Sequence, residues 1–402
     1  MDRRYRWVIL GAGTFAQSSL AALSVGLPAL APALRAHYRL SLGETGVVLG
    51  SVGIGMLLTL LPWGLLADRI GERAVMSLGL GAAGGALLAT SATHGYPALV
   101  GLLALSGALG ASVNAASGRA VMGWFGASER GLALGIRQTA IPIGGAGAAA
   151  SLPWLATAGG TRLAFVVLGC GCFAGAGVAA AAMREPPRQP AATLDHIGTP
   201  LRDARMWLLA GGSSFYLVAQ IAITNFVVLF LHRHRGLSTH AAAGVLAGIN
   251  VLGIGARIGA GRWSDSVRAR LGPLRLLGLI MTAGMGAVAA LVDAPLGVLV
   301  PVLVAAGVAG LSWNGLSFTA AAETSGAARS GAALGFQQTV FAVLGAAGPP
   351  TFAVVVGATS WRVAFALAAL GPLLGVAALR RVAEPTAPGR TPGMSAIPPA
   401  AR

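Results

Sequence analysis

Two arginines, Arg137 and Arg257, stand inside apolar stretches of this 402-residue chain, and all 28 of its basic residues are arginine. A guanidinium stays charged and offers its N–H donors in a planar fork, which suits the paired oxygens of a carboxylate or another oxyanion. Placing one in an apolar stretch that spans a bilayer costs about 2.5 to 3.5 kcal/mol on insertion scales, so each is a candidate binding group. Each lies about 9 Å inside its stretch at the helical rise, a depth from which the head either faces a pathway or snorkels to the boundary. Gln17, Tyr216, Gln220 and Asn250 lie nearer mid-depth, whereas Asn114, Gln138, Asn314, Gln337 and Gln338 lie closer to one end. A polar group there must find a partner, either a solute or a neighbouring helix. The twelve acidic residues and six histidines all fall in loops or at the ends of apolar stretches. No carboxylate or imidazole is left at mid-depth to carry a proton. Metal-ligand spacing is absent, a phosphate loop of the Gly-Lys type requires a lysine the chain lacks, and no enzymatic motif or cofactor is expected.

The elements that must position these groups follow from composition. Hydrophobic residues make up 55% of the chain and charged residues 10%, with a mean hydropathy of +0.75, too few charges to cover a soluble surface. A helix crossing a hydrocarbon core needs about 20 apolar residues. The chain divides into twelve such stretches, near 7–30, 46–66, 74–93, 97–118, 132–156, 162–183, 206–231, 241–261, 274–293, 296–318, 332–356 and 361–381. The first is too long for a signal-peptide core and reads as a retained helix. Cys170 and Cys172 sit within an apolar run and read as small core residues, forming neither a disulfide framework nor a metal site. Sixty glycines suit close helix packing in lipid, with spacings such as Gly81 to Gly85 and Gly107 to Gly110.

Arginine distribution sets the orientation, because short cytoplasmic loops are enriched in basic residues. With the N-terminus inside, twenty arginines are cytoplasmic, six (35, 39, 162, 233, 235 and 362) are external, and two lie within spans. The chain is therefore expected to be a multi-pass protein of the bacterial inner membrane with both termini cytoplasmic. Nucleic acid is excluded as a partner, since the positive charge is scattered between apolar stretches and not gathered on one face. Pro186, Pro187 and Pro190 interrupt any helix in residues 184–205, the expected linker between an N-terminal unit (1–183) and a C-terminal unit (206–383). Residues 384–402 are proline-rich and expected to be disordered.

The two units repeat each other at an offset of 200 residues. Trp7, Gly11 and Phe15 recur as Trp207, Gly211 and Phe215, and Gly107, Gly110, Ser112, Asn114 and Ser117 as Gly307, Gly310, Ser312, Asn314 and Ser317. Gly131, Leu134, Gly135, Gln138 and Thr139 recur as Gly331, Leu334, Gly335, Gln338 and Thr339, and Arg162, Ala164 and Phe165 as Arg362, Ala364 and Phe365. The expected fold is all-α, twelve transmembrane helices in two parallel-repeat six-helix bundles. Such bundles can rock about a site between them, exposing it to each side in turn.

Gly64-Leu-Leu-Ala-Asp68-Arg69-Ile-Gly71-Glu72-Arg73 resembles the loop signature Gly-x-x-x-Asp-Arg-x-Gly-Arg-Arg of the major facilitator superfamily, with a degraded second copy at Gly261-Arg-Trp-Ser-Asp265. The resemblance extends over essentially the whole chain and implies a rocker-switch transporter. Within that superfamily, Trp124-Phe125, Arg130-Gly131, Gly135-Ile136-Arg137-Gln138-Thr139, Pro142 and Gly144-Gly145 are similar to bacterial anion permeases of the cyanate and nitrate/nitrite type. Nitrate porters carry an intramembrane arginine in both the second and eighth spans, and here the position matching Arg257 is Leu60. The resemblance also implies a gate formed by Gly64, Asp68, Arg69, Gly71 and Arg73. In it Asp68 bonds to Arg119 near a positive helix N-terminus and holds the cytoplasmic side shut.

The expected function is secondary transport of a small anion, an organic carboxylate or cyanate-like species, bound by Arg137, Arg257, Gln138, Gln338, Gln17, Tyr216, Gln220 and Asn250. Its partners are that solute and the lipid bilayer, and it is expected to act as a monomer. The alternative is an efflux carrier in which Trp63, Phe226 and Phe341 line a greasy cavity; a non-transporting sensor on the same scaffold would favour a large signalling domain, and none is seen.

Overall fold

The computed structural model describes residues 4–125, 130–184, 203–325 and 330–384. These residues are helical throughout, with no strand among them. Helices α1 (Tyr5–Ser24) and α2 (Leu27–Tyr38) form the first crossing, followed by α3 (Leu42–Ile70), α4 (Glu72–Thr90) and α5 (Tyr96–Trp124). Next come α6 (Arg130–Gln138) and the long α7 (Ala140–Ala182). The second half contains α8 (Ala204–Ser214), α9 (Tyr216–Thr224), α10 (Val227–Arg233), α11 (Thr239–Ser266) and α12 (Leu271–Ala290). It ends with α13 (Leu296–Ser312), α14 (Asn314–Ser325), α15 (Ser330–Ala358) and α16 (Trp361–Leu379).

Eleven helical segments are long and apolar enough to cross a membrane, one of them running 48 residues from Gly135 to Ala182. That length is about 72 Å at the helical rise, more than twice a hydrocarbon core. Gly159 (φ −144°, ψ 23°) and Gly160 (φ 68°, ψ −174°) leave helical geometry within it. Only glycine adopts the second conformation without strain, so the segment turns there and makes two crossings. Twelve crossings result, as the apolar stretches predict. The expected linker and tail lie almost entirely outside the described residues.

Ends are fixed by ordinary capping chemistry. Ser41 and Glu44 form a reciprocal capping box at the start of α3, while Ser238 and Ser360 cap α11 and α16. Within each bundle, small residues let helices approach to backbone contact: Gly107 sits against Val52 and Gly55 against Ala104, joining α3 to α5. Gly107 and Gly110 serve as the spacing suggests. Of the other pair, Gly81 meets Ala176 of α7 while Gly85 faces open space; the neighbouring Gly79 and Gly84 make closer approaches, to Ser112 and Phe173.

The bundles meet along two seams, α3 against α15 and α7 against α11, and α2 also packs on α10. An added Cβ at Gly46 would lie 2.8 Å from the Pro349 carbonyl oxygen, and one at Gly50 would lie 2.8 Å from that of Ala346. Pro349 and Pro350 have no N–H to give the carbonyls four residues earlier, Gly345 and Ala346, so these oxygens turn toward the α3 glycines. On the other seam Trp154 packs against His240 with ring centroids 4.0 Å apart and the rings tilted by 48°. Both seals lie at the end of the bundle opposite the chain termini. Further along the same helix faces, Leu61 is 68% exposed, and Gly64, Gly135, Gly261 and Gly335 have nothing within 4 Å of an added Cβ. A cleft between the bundles therefore opens toward the end that carries the termini.

Candidate functional site

In the N-terminal bundle the polar groups form one hydrogen-bonded chain. Gln17 of α1 donates to Asn114 Oδ1 of α5 at 3.3 Å, and Arg137 at the end of α6 donates Nη2 to the Asn114 carbonyl at 3.3 Å and Nε to Ser117 Oγ at 2.9 Å. The guanidinium lies flat on Gly118, with Cζ 3.5 Å from where a Cβ would be, and Arg137 is only 7% exposed. Arg137 has no carboxylate partner among the described residues.

The repeat places Gln337 at the same position in the other bundle. There Gln337 is fully buried and donates to Ser317 Oγ and, at 3.4 Å, to the Ser317 carbonyl, repeating the Arg137–Ser117 bond at the same offset of 200. Size compensates for size: Gly118, which admits the guanidinium, is replaced at the repeat position by Phe318, which packs on Phe341. The serines are thus matched hydrogen-bond acceptors that charge-based reasoning overlooks. Their recurrence in the repeat was the available signal.

Arg257 of α11 occupies the seam itself. Its Nε donates to the Leu311 carbonyl at 2.9 Å, and its Nη1 crosses between the bundles to the Gln138 carbonyl at 3.3 Å. Both acceptors sit where a helix breaks. Pro142 lies four residues after Gln138 and supplies no N–H, while α13 ends just past Leu311. Helix C-terminal carbonyls carry partial negative charge, which favours a cation there. Arg257 has no carboxylate partner among the described residues either. Arg257 thus reaches the end of α6 from the other bundle, the Arg137 guanidinium turns from that end onto α5, and the opposite seam carries glycines and prolines.

Gln138 and Gln338 are half-buried on the seam helices, and their side chains have no hydrogen-bond partner among the described residues. Asn250 is fully buried, donates to the Leu246 carbonyl, and sets its oxygen against Gly145 across the seam. Tyr216 and Gln220 lie apart from this group. Tyr216 is fully buried, donates to the Leu274 carbonyl at 3.0 Å and meets the Trp313 ring edge-on; Gln220 accepts from Trp313 Nε1 at 3.1 Å. They bind the interior of the C-terminal bundle together. Of the aromatic trio of the efflux alternative, Phe226 is buried with Phe352 and beside Trp361, Phe341 is buried against Trp313, and Trp63 is half-buried and donates to the Ala108 carbonyl at 2.7 Å.

Of the gate residues, Asp68 and Arg119 lie on α3 and α5, and their side chains are outside the described residues. Arg69 lines an open groove with Pro62, Leu65 and Leu66, and Arg73 is exposed. Gly71 separates α3 from α4 at φ 86° and ψ 163°, a conformation essentially confined to glycine. Gly71→Ala is expected to destabilise this turn by about 1 to 3 kcal/mol and lower transport. A thermal melt of the detergent-solubilised variant, read beside uptake, checks this; an unchanged melt removes the argument.

In the second copy of the motif, Asp265 pairs with Arg270, which also bonds to Glu323 at 3.0 Å and to Ser264. Burial lowers the Arg270 pKa, but its bonds to Glu323 and Asp265 outweigh this and leave it raised. At the opposite end Arg362 and His234 bond to Asp293 and hold its carboxyl below the usual range. Both clusters fasten helix ends within the C-terminal bundle.

A family model described as Major Facilitator Superfamily matches residues 13–349. An uncharacterised MFS-type transporter of Mycobacterium tuberculosis is 33% identical over 376 residues, covering 92% of this chain and 84% of that protein. An uncharacterised transporter of Bacillus subtilis is 30% identical over 146 residues, 36% of this chain and 34% of its own length. Among solved structures, a D-xylose-proton symporter superposes with a TM-score of 0.80 at 16% identity over 95% of this chain and 99% of that one. A bacterial homologue of the human lysosomal transporter Spinster, in an inward-facing and unoccupied conformation, gives 0.75 at 16% identity over 94% of each chain. At such identities these structures establish the fold.

Proposed function

The chain belongs to the Major Facilitator Superfamily, and from that premise we propose that it carries a small organic anion across the membrane by alternating access. The observation that carries this reading is the two guanidiniums, Arg257 on the α7–α11 seam and Arg137 buried against α5 at the adjoining end of α6, neither with a carboxylate partner among the described residues. A buried positive charge held only by neutral oxygens is under-compensated, and an anion supplies the stronger, charge-assisted bonds. Gln138 and Gln338 offer further amide groups to a solute's oxygens. The α3 wall of the cleft is aliphatic around Leu57 and Leu61, which favours a carboxylate with an apolar body over a bare inorganic anion. Leu60 stands in α3 at the position that matches Arg257, so that wall has no second arginine of the kind nitrate porters carry, which argues against nitrate.

Purified protein in liposomes tests the reading. Uptake of labelled acetate, benzoate and cyanate is compared with uptake of a labelled organic cation, and a thermal-shift screen of the same compounds reports binding. Saturable uptake and stabilisation by the carboxylates are expected. Transport of the cation alone overturns the proposal in favour of the efflux carrier.

A further inference from the structure

Arg257 makes a bond that the chain could have avoided. In a continuous helix the Gln138 carbonyl would accept from the N–H of residue 142, but Pro142 has none, and Arg257 of the other bundle supplies the donor at 3.3 Å. The C-terminal bundle has Ala342 at the matching position, and α15 runs unbroken through it. At this level the deficit therefore exists on one seam only; the carbonyls that Pro349 and Pro350 free on the other seam, Gly345 and Ala346, lie nearer the sealed end and face glycines of α3. There a proline in one bundle creates an acceptor that an arginine in the other fills.

The bond lies where the two helices begin to part. Trp154–His240, Gly145–Asn250 and Gln138–Arg257 succeed one another from α7 into the end of α6 on one side and along α11 on the other, whereas Gly135 and Gly261 beyond them face open space. A change in the angle between the bundles acts on this last contact first. A neutral carbonyl is also the weaker kind of partner for a guanidinium, and a carboxylate presented from the cleft competes for the same Nη1.

Resting on the reading of the solute as an anion, we propose that the Gln138 carbonyl is its stand-in on Arg257, so that the empty carrier is held across the seam and transport proceeds as anion exchange. Binding of an anion takes Nη1 from the carbonyl and cuts the bridge, after which the bundles rock. Without an anion, rocking leaves both the Gln138 oxygen and the Arg257 N–H unpaired within the membrane. Losing a hydrogen bond of a charged group slows return of the empty carrier by about 10- to 100-fold. Exchange is faster than net uptake by that factor.

Pro142→Ala restores an N–H for Gln138 without touching the solute. In proteoliposomes loaded with unlabelled benzoate, the wild type takes up labelled benzoate at least about tenfold faster than in empty ones, and Pro142→Ala brings the ratio close to one. Arg257→Lys, which has no fork to reach both carbonyls, lowers the ratio while also weakening benzoate uptake. An unchanged ratio in folded Pro142→Ala overturns the proposal. A solute-free readout separates it from the anion reading: spin labels at Ile70→Cys and Ser266→Cys, in a Cys170→Ser/Cys172→Ser background, report the distance across the open end by pulsed electron resonance. One population is expected for the empty wild type and two for empty Pro142→Ala. If Pro142→Ala shifts the populations while no anion does so in the wild type, the bridge stands and the anion reading falls. If Pro142→Ala leaves the populations unchanged, the bridge falls.

Discussion

Arg137→Gln is expected to leave the fold intact and to lower anion uptake by about 100-fold or more. The fold survives because the protein already contains the substituted arrangement: Gln337 bonds to Ser317 at the repeat position, and a glutamine in place of Arg137 would reach Ser117 in the same way. Removing the charge also removes its insertion cost of about 2.5 to 3.5 kcal/mol, so stability holds or rises. Function is lost because a fully buried charge pair between solute and carrier is worth about 2 to 5 kcal/mol, and each 1.4 kcal/mol is tenfold. Initial uptake rates in liposomes, beside a thermal melt of the same preparation, separate these effects. A stable variant with wild-type uptake shows that the Arg137 charge serves the bundle and not the solute.

Gly50→Val should abolish transport for a purely steric reason. An added Cβ there would lie 2.8 Å from the Ala346 carbonyl oxygen, a backbone atom that cannot turn aside. Overpacking of this kind costs about 1 to 3 kcal/mol even where side chains yield, and valine adds two more carbons. The α3–α15 seam then cannot close at the end opposite the termini, so the carrier stays open on that side and turnover falls by about 100-fold. Gly101→Val, at an exposed glycine with nothing within 4 Å, is the control and should transport normally. Distances between spin labels across the sealed end check the mechanism. A Gly50→Val protein with the wild-type closed distance and normal turnover refutes it.

Much of the fold was legible because the bilayer acts on each segment separately. Apolar length, the break before Glu72 and the repeat at 200 residues all follow from local pattern, and the crossings lie where those patterns put them. The glycine spacing was only partly legible. Gly107, Gly110 and Gly81 face helices, but Gly85 does not, since spacing gives a helix one small face without saying which neighbour lies beside it. Tyr216 and Gln220 show the same limit for polar groups. Depth in the chain placed them at the middle of the membrane, and the packing of α8, α9, α13 and α16 then turned them toward Trp313 and Leu274.

By itself the sequence determined that this chain crosses the membrane twelve times, that its halves repeat, and that two arginines are left inside without a mid-depth acid. These are properties of single segments in a solvent that rejects unpaired charge. Only the tertiary structure decided that Arg137 turns into its own bundle while Arg257 crosses the seam, that Ser317 holds Gln337 as Ser117 holds Arg137, and that Arg257 answers the carbonyl Pro142 leaves unbonded. The last bond joins residues 119 positions apart in different bundles. Such a bond depends on how two independently formed bundles dock, and helix docking is settled by backbone contact at a few glycines and prolines, not by the pattern along either helix.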